Sequence, residues 1–370
     1  MSVLRRDLER LLGRAERAIA LLERCRPLNV VHAQAEVQAA WQRDEPSAPD
    51  WQYASVPELS GLRAGLEGMV DKLAAAGPWG GLYAARAAEL YTEAAAAEAL
   101  DSGSFRELAA LRFPVGAGPD AAQAEQWALD WTEATLEPPS STTASDDELD
   151  PKSLFSAMRR AVGQRRLPFR VLLREDLPSA AATGDGVILV KAGARYRALD
   201  VERIVVHEIE GHALPRLRAR HERLGLYRIG TAGGSDDEEG RALLLEQRGG
   251  YLDAARSAEL GRRHLAALAL RRGADYVETA QLLLDRGAAL EDALRITSRV
   301  HRGGGLGREL VYLTALSRVG RAFERDGGLE SFLERGRIAV GAARVLRDLG
   351  DPPELLDGSF GWLEAGGLPA

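Results

Sequence analysis

The chain has 370 residues, 45% hydrophobic and 28% charged, with a formal net charge of −7. That length can bury one large core or two smaller ones, and the balance is that of a soluble globular protein. The negative charge speaks against a nucleic-acid partner, the single cysteine (Cys25) excludes an internal disulfide framework or a cysteine-based zinc ribbon, and no run approaches the ~20 apolar residues of a membrane span. Arginine far outnumbers lysine, but it alternates with Asp and Glu, which is the pattern of solvated helix faces. The N-terminus lacks the apolar core of a secretory signal, so the expected location is the cytoplasm.

Residues 2–25 carry apolar positions at helical spacing, and Arg26-Pro27-Leu28-Asn29 ends that run. A second helix is expected from Val30 to Trp41, followed by a turn-rich segment with Trp51 and Tyr53. Further helices are expected at about 57–76, 80–100 and 120–135. Glu137 to Pro151 is rich in Pro, Ser, Thr and Asp, has almost nothing to bury, and reads as a linker. The expected division is a helical N-terminal region (1–136), a linker (137–151) and a C-terminal region (152–370). A short helix at 152–163 precedes strands at Phe169 to Leu173 and Gly186 to Val190, with the turn-rich Pro178 to Asp185 between them. Asp200 is placed to N-cap the next helix, and from residue 236 onward the pattern is almost entirely helical. The expected fold class is therefore α+β and predominantly helical.

The helix after Asp200 reads V-E-R-I-V-V-H-E-I-E-G-H and holds two of the chain's six histidines, His207 and His212. Glu208 stands beside the first, which suggests a metal-activated water with Glu208 as the base. In the common H-E-x-x-H motif the histidines are four apart and about 40° apart on a helix; here they are five apart, about 140°. A regular helix cannot aim both at one ion. One inserted residue, a π-bulge, would realign them, and Gly211 would ease it.

A hydrolytic metal site takes three protein ligands and leaves a position for water. The third ligand is sought in S-D-D-E-E-G-R-A (Ser235 to Ala242) and just beyond, where Glu238, Glu239 and Glu246 are the candidates. Acidic residues favour the first turn of any helix, so that segment alone carries little weight. The remaining histidines, His32, His221, His264 and His301, are isolated. Ser298 to Gly307 forms a glycine loop between helices in which Arg299 and Arg302 could grip a carboxylate, though it lacks the order of a phosphate-binding loop.

Taken in order, H-E-x-x-x-H, then x-E-G-x-A at Glu238 to Ala242, then R-V-x-R-G-G with a following V-Y-L, resemble the tyrosine/phenylalanine carboxypeptidase-like family. That family includes the microtubule-associated tyrosine carboxypeptidases and bacterial proteins with a Q-E-G-L-A motif. The resemblance runs from about Phe169 to about Leu349, with a weaker match at Pro27-Leu28-Asn29 and Trp51-Gln52-Tyr53. It implies a zincin-like catalytic region with a small sheet beside the motif helix. It also implies one zinc ion held by His207, His212 and Glu239, with Glu208 as general base. Arg299 and Arg302 are implied to hold the substrate's C-terminal carboxylate, with Tyr312 lining the same pocket. Departures are Glu238 in place of Gln, Arg241 in place of Leu, and Arg308-Glu309 in place of a lysine-aspartate pair. Arg241 is expected to be exposed or to pair with Glu238.

The expected function is a zinc-dependent metallocarboxypeptidase acting on a peptide or protein C-terminus, with aromatic specificity implied by the family only. Two alternatives compete: an endopeptidase or amidase using the same site, and a non-catalytic regulatory or binding protein with a structural or vestigial metal site.

Overall fold

A computed structural model describes residues 3–56, 58–133 and 141–349 of the chain. The end of the helix expected at 120–135, residues 137–140 of the expected linker and residues 350–370 lie outside the described residues. The fold is α+β and predominantly helical, with two small sheets among the described residues. No described helix is long and apolar enough to cross a membrane.

The first part is helical: α1 (Val3–Ile19), α2 (Leu21–Arg24), α3 (Val30–Trp41), α4 (Ser60–Ala74), α5 (Gly77–Glu98), α6 (Phe105–Arg112) and α7 (Pro119–Thr132). The stretch expected as one helix over 2–25 is two, because Ala20 adopts the left-handed conformation with φ 41°. Arg24 takes up the carbonyls freed there: its Nε donates to Ile19 O at 2.9 Å and its Nη2 to Ala18 O at 3.1 Å.

Strand β1 (Thr143–Ala144) then pairs antiparallel with β5 (Arg195–Tyr196). Between them lie α8 (Leu154–Gln164), β2 (Arg170–Arg174), β3 (Ala181–Thr183) and β4 (Val187–Lys191). The three-stranded sheet has the order β2-β4-β3; β4 is central, parallel to β2 with Leu172 opposite Leu189, and antiparallel to β3 with Ala182 opposite Leu189. Its alternation turns Ile188 and Val190 inward, both fully buried. Strand β3 falls in the segment expected to be a turn. Ala-Ala-Thr has no alternation of its own and is a strand because β4 offers it a ladder. It forms the sheet edge that lies against the motif helix.

That helix is built from α9 (Ala198–Val206), a π-helical turn (His207–Ala213) and α10 (Leu214–His221). Its N-cap is Arg197 rather than Asp200; Asp200 sits in the first turn and receives Arg197 Nε at 2.7 Å. Met158, Ile188, Val190, Ile204 and Ile209 form a core beneath it, so Ile209 anchors the π turn from within. The rest is helical: α11 (Leu226–Ile229), α12 (Gly234–Arg248), α13 (Ala254–Arg271), α14 (Tyr276–Asp285), α15 (Leu290–Gly305), α16 (Leu310–Arg325), α17 (Glu330–Leu333) and α18 (Val340–Leu349).

The main core joins α1, α4 and α5 to α12, α13 and α16, so it draws on both sides of the 137–151 segment. Polar contacts also cross. Buried Arg112 of α6 reaches Glu93 at 2.7 Å and Asp236, at the start of α12, at 2.9 Å. Glu89 accepts the Gly233 N–H at 2.9 Å. The helical N-terminal region thereby fixes the first turn of α12.

α12 is clasped between the π turn and α16. A Cβ at Gly240 would lie 2.5 Å from the Ala315 backbone, and one at Gly211 would lie 2.7 Å from the Ala242 Cβ. Gly211 thus also serves close packing of the turn against α12. Gly240→Ala is expected to destabilise the fold by about 1–3 kcal/mol, because backbone on α16 must yield. Thermal denaturation checks this; an unchanged Tm would show that the two helices can separate at no cost.

Candidate metal centre

The π turn absorbs the fifth residue of H-E-x-x-x-H and turns both imidazoles the same way. His207 Nε2 and His212 Nε2 lie 3.2 Å apart, with ring centroids separated by 5.0 Å. Glu239, from the first turns of α12, places Oε2 3.5 Å from His207 Nε2 and 3.9 Å from His212 Nε2. Two facing imidazole nitrogens can bond only if one carries a proton; a shared cation relieves both. Ligand bonds of about 2.0–2.1 Å to a tetrahedral ion put the donors roughly 3.3 Å apart. The three atoms therefore fit one ion, and the donor set of two imidazoles and a carboxylate suits a divalent metal.

The other ring nitrogens each face a carboxylate. His207 Nδ1 is 2.6 Å from Glu246 Oε1, and Arg256 holds both oxygens of Glu246, at 2.9 and 3.1 Å. Glu246, a candidate ligand by sequence, thus orients His207 from behind. His212 Nδ1 lies 3.3 Å from Glu238 Oε2, an ion-pair distance without hydrogen-bond geometry, and Arg216 approaches the same oxygen at 3.4 Å. Carboxylates behind metal-binding imidazoles fix the tautomer and strengthen the ligand.

The charges agree. Burial disfavours a charged His207, but the hydrogen bonds to Glu239 and Glu246 outweigh it and push the imidazole up to about 10. Burial would raise Glu238, yet Arg216 and His212 hold it down at about 2. Burial likewise opposes an ionised Glu239, and Arg308 with the two histidines keeps it well below the usual carboxylate range. The pocket is built to hold positive charge. Glu246→Gln, which weakens the acceptor behind His207, is expected to lower metal affinity about 10–100-fold. A competitive chelator titration measures this, and an unchanged affinity would remove Glu246 from the centre.

Glu208 is buried on the same turn, and the Thr183 hydroxyl of β3 donates to its Oε2 at 2.7 Å. The sheet edge therefore fixes the Glu208 carboxylate, while Glu210, the motif's other carboxylate, turns outward to Arg165 at 2.7 Å. Arg241 is neither exposed nor hydrogen-bonded to Glu238. It is buried and its Nη2 donates to the Glu210 carbonyl at 2.9 Å and to that of Gly211. It satisfies carbonyls left without helical donors where the turn widens and Pro215 offers no N–H.

The structure brings Arg299 and Tyr312 toward this centre through Arg308. Arg308 Nη2 donates to Glu239 Oε1 at 2.9 Å and its Nη1 to the Tyr312 hydroxyl at 2.8 Å; Arg299 Nη2 reaches the same hydroxyl at 3.2 Å. Arg299 is otherwise engaged, through Nε with Glu309 at 2.6 Å and through Nη1 with Pro178 O at 3.2 Å. Burial would raise the Tyr312 phenol, but the surrounding arginines, Arg308 foremost, hold it below its usual value. Arg263 stacks on the Tyr312 ring at 4.2 Å. Arg302 is buried and its Nε has no hydrogen-bond partner among the described residues, but its charge faces Glu309, the carboxylate that holds Arg299. The glycine loop after it does not approach the centre. A Cβ at Gly303, whose φ is +73°, would lie 2.9 Å from Cys25 Sγ and from the Phe105 ring.

Sequence reasoning missed Thr183, Arg308 as a bridge, and the supporting roles of Glu246, Arg241 and Arg263. Glu246 alone had a signal, since it lies seven residues after Glu239 and so on the same helix face. The others act through contacts that exist only in the folded chain.

No curated protein matches the chain. A sequence model of the family described as microtubule-associated tyrosine carboxypeptidase matches residues 44–355, a span that takes in the π turn, α12 and the Arg299–Tyr312 contacts. The match covers most of the chain, which therefore belongs to the microtubule-associated tyrosine carboxypeptidase family.

Proposed function

We propose that the chain is a zinc-dependent carboxypeptidase that releases a C-terminal residue, an aromatic one by analogy with the family's name, from a peptide or protein. The convergence of His207 Nε2, His212 Nε2 and a Glu239 oxygen beside buried Glu208 carries this proposal. In it, residues 152–370 supply a zincin-like catalytic region and residues 1–136 the helical region packed against it.

His207, His212 and Glu239 would hold the ion. Zinc bound there supplies Lewis acidity toward the scissile carbonyl and lowers the pKa of water. Glu208 takes the proton from the attacking water and passes it to the leaving amine. Thr183 holds the Glu208 carboxylate in place, and Glu246 and Glu238 hold the imidazoles. Arg308 ties Glu239 to Tyr312, and Arg299, Arg302 and Tyr312 receive the free carboxylate of the substrate.

The test is removal and return of the metal. A peptide ending in Tyr or Phe should lose its last residue with the zinc-loaded chain, cease to do so after chelation, and recover with about one equivalent of zinc per chain. Turnover that survives complete removal of metal would refute the mechanism.

A further inference from the structure

Arg308 is one of the departures from the family pattern, standing in place of a lysine, and its guanidinium spans two partners. Nη2 donates to Glu239 Oε1 at 2.9 Å and Nη1 to the Tyr312 hydroxyl at 2.8 Å. The two oxygens of Glu239 are thereby divided. Oε2 faces both imidazoles, at 3.5 and 3.9 Å, while Oε1 is taken by the guanidinium. The side chains of Arg308 and Glu239 are only 12 and 13% exposed, so water and salt screen the pair little.

The reach of Arg308 is set by backbone on both sides. α16 meets α12 at the residue after Glu239, where a Cβ on Gly240 would lie 2.5 Å from the Ala315 backbone. Just before Arg308, Arg271 Nη1 donates to Gly305 O at 3.0 Å and its Nη2 to Leu306 O at 2.8 Å. The far partner is fixed as well. Arg299 reaches the Tyr312 hydroxyl at 3.2 Å and Arg263 covers the ring at 4.2 Å. A planar fork between two fixed acceptors sets direction as well as charge; an ammonium on a flexible stem sets charge alone.

We infer that Arg308 is a positioning residue that restrains Glu239 to a single ligating oxygen. A carboxylate can close on a cation with one oxygen or with two. Two imidazoles and one carboxylate oxygen leave a coordination position for water, and a second oxygen would compete for it. This rests on the carboxypeptidase proposal and adds to it a group outside the ligand set that keeps that position open. Removing Arg308 should then not weaken metal binding, because Glu239 loses a competing cation and gains a free oxygen. A residue that only orients a ligand behaves in the opposite way, its loss costing about 10–100-fold in affinity.

The experiment compares the full-length wild-type chain with Arg308→Met and Arg308→Lys, each loaded with zinc or with cobalt(II), whose visible absorption weakens as its coordination number rises above four. In a chelator titration Arg308→Met should bind zinc at least as tightly as wild type. Its cobalt form should lose visible absorption, and its zinc form should turn over a peptide ending in Tyr about 10–100-fold more slowly. Arg308→Lys, which keeps a donor for Oε1, should recover part of the absorption and part of the rate. Tyr312→Phe releases the other arm while Arg308 stays. It should shift the cobalt spectrum less and in the same direction, and it carries the test if Arg308→Met does not fold. Weakened zinc binding in Arg308→Met, or cobalt spectra unchanged in every variant, beside an active wild type, would overturn the role of Arg308 and leave the peptidase standing. The spectral change in a chain that holds one metal ion and cleaves no peptide would support the restraint and reject the peptidase.

Discussion

Glu208→Gln is expected to lower kcat by about 10²–10⁴-fold while the chain still binds one zinc ion. Glutamine matches glutamate in size and still offers an oxygen to the Thr183 hydroxyl, which donates to Oε2 at 2.7 Å. It cannot take a proton from water. Glu208 is not among the three converging donors, so its replacement should leave the metal in place. KM should change little, because Glu208 acts on the water rather than on the bound carboxylate. Steady-state kinetics beside metal analysis of the same preparation checks both halves. Undiminished kcat would remove Glu208 as the base, and lost zinc would place it among the ligands.

Glu239→Ala is expected to leave the purified chain without stoichiometric zinc, and therefore without turnover. The loss in affinity should exceed the roughly 10–100-fold typical of partners that only orient a ligand. Stability should also fall, because Arg308 donates to Glu239 at 2.9 Å and loses that carboxylate partner. Breaking a buried ion pair from one side costs about 3–5 kcal/mol. Arg308 keeps its bond to Tyr312, which argues for the lower end of that range. Glu239→Gln separates the two effects. A neutral amide oxygen can still accept from Arg308 but is a poor ligand, so the variant should keep most of its Tm and lose the metal. Full zinc occupancy in Glu239→Ala would show that the ligand set is wrong.

How much of this could be read beforehand follows from which contacts are local. The five-residue spacing of His207 and His212 is a local fact, and geometry alone requires a widened turn if they act together. The π segment over His207–Ala213 supplies it. Glu239 could be singled out from Glu238 and Glu246 only by resemblance, since all three lie in one acidic helix and all three end near the histidines. What separates them is which ring nitrogen each one meets.

The rest depends on distant partners. Ala181–Thr183 has too little pattern to read as a strand, yet its pairing with β4 puts Thr183 against Glu208. Arg241 looks like a charge on a helix, and its partners, the carbonyls of Glu210 and Gly211, are left without helical donors because the Leu214 N–H goes to Ile209 O and Pro215 has no N–H. Asp200 looks like an N-cap because a capping residue and a first-turn acid have the same composition; Arg197 claims it instead. The ties from Glu89 and Arg112 to the start of α12 span more than a hundred residues and have no signature in the chain.

Removal of a residue with a free carboxylate is decided by one pair of substrates. The zinc-loaded chain is incubated with a peptide ending in Tyr and with the same peptide as its C-terminal amide, and the products are identified by mass. Release of free tyrosine from the acid, with the amide untouched, is the expected result. Cleavage of both at an internal bond, or of neither by a chain carrying one zinc ion, would contradict it.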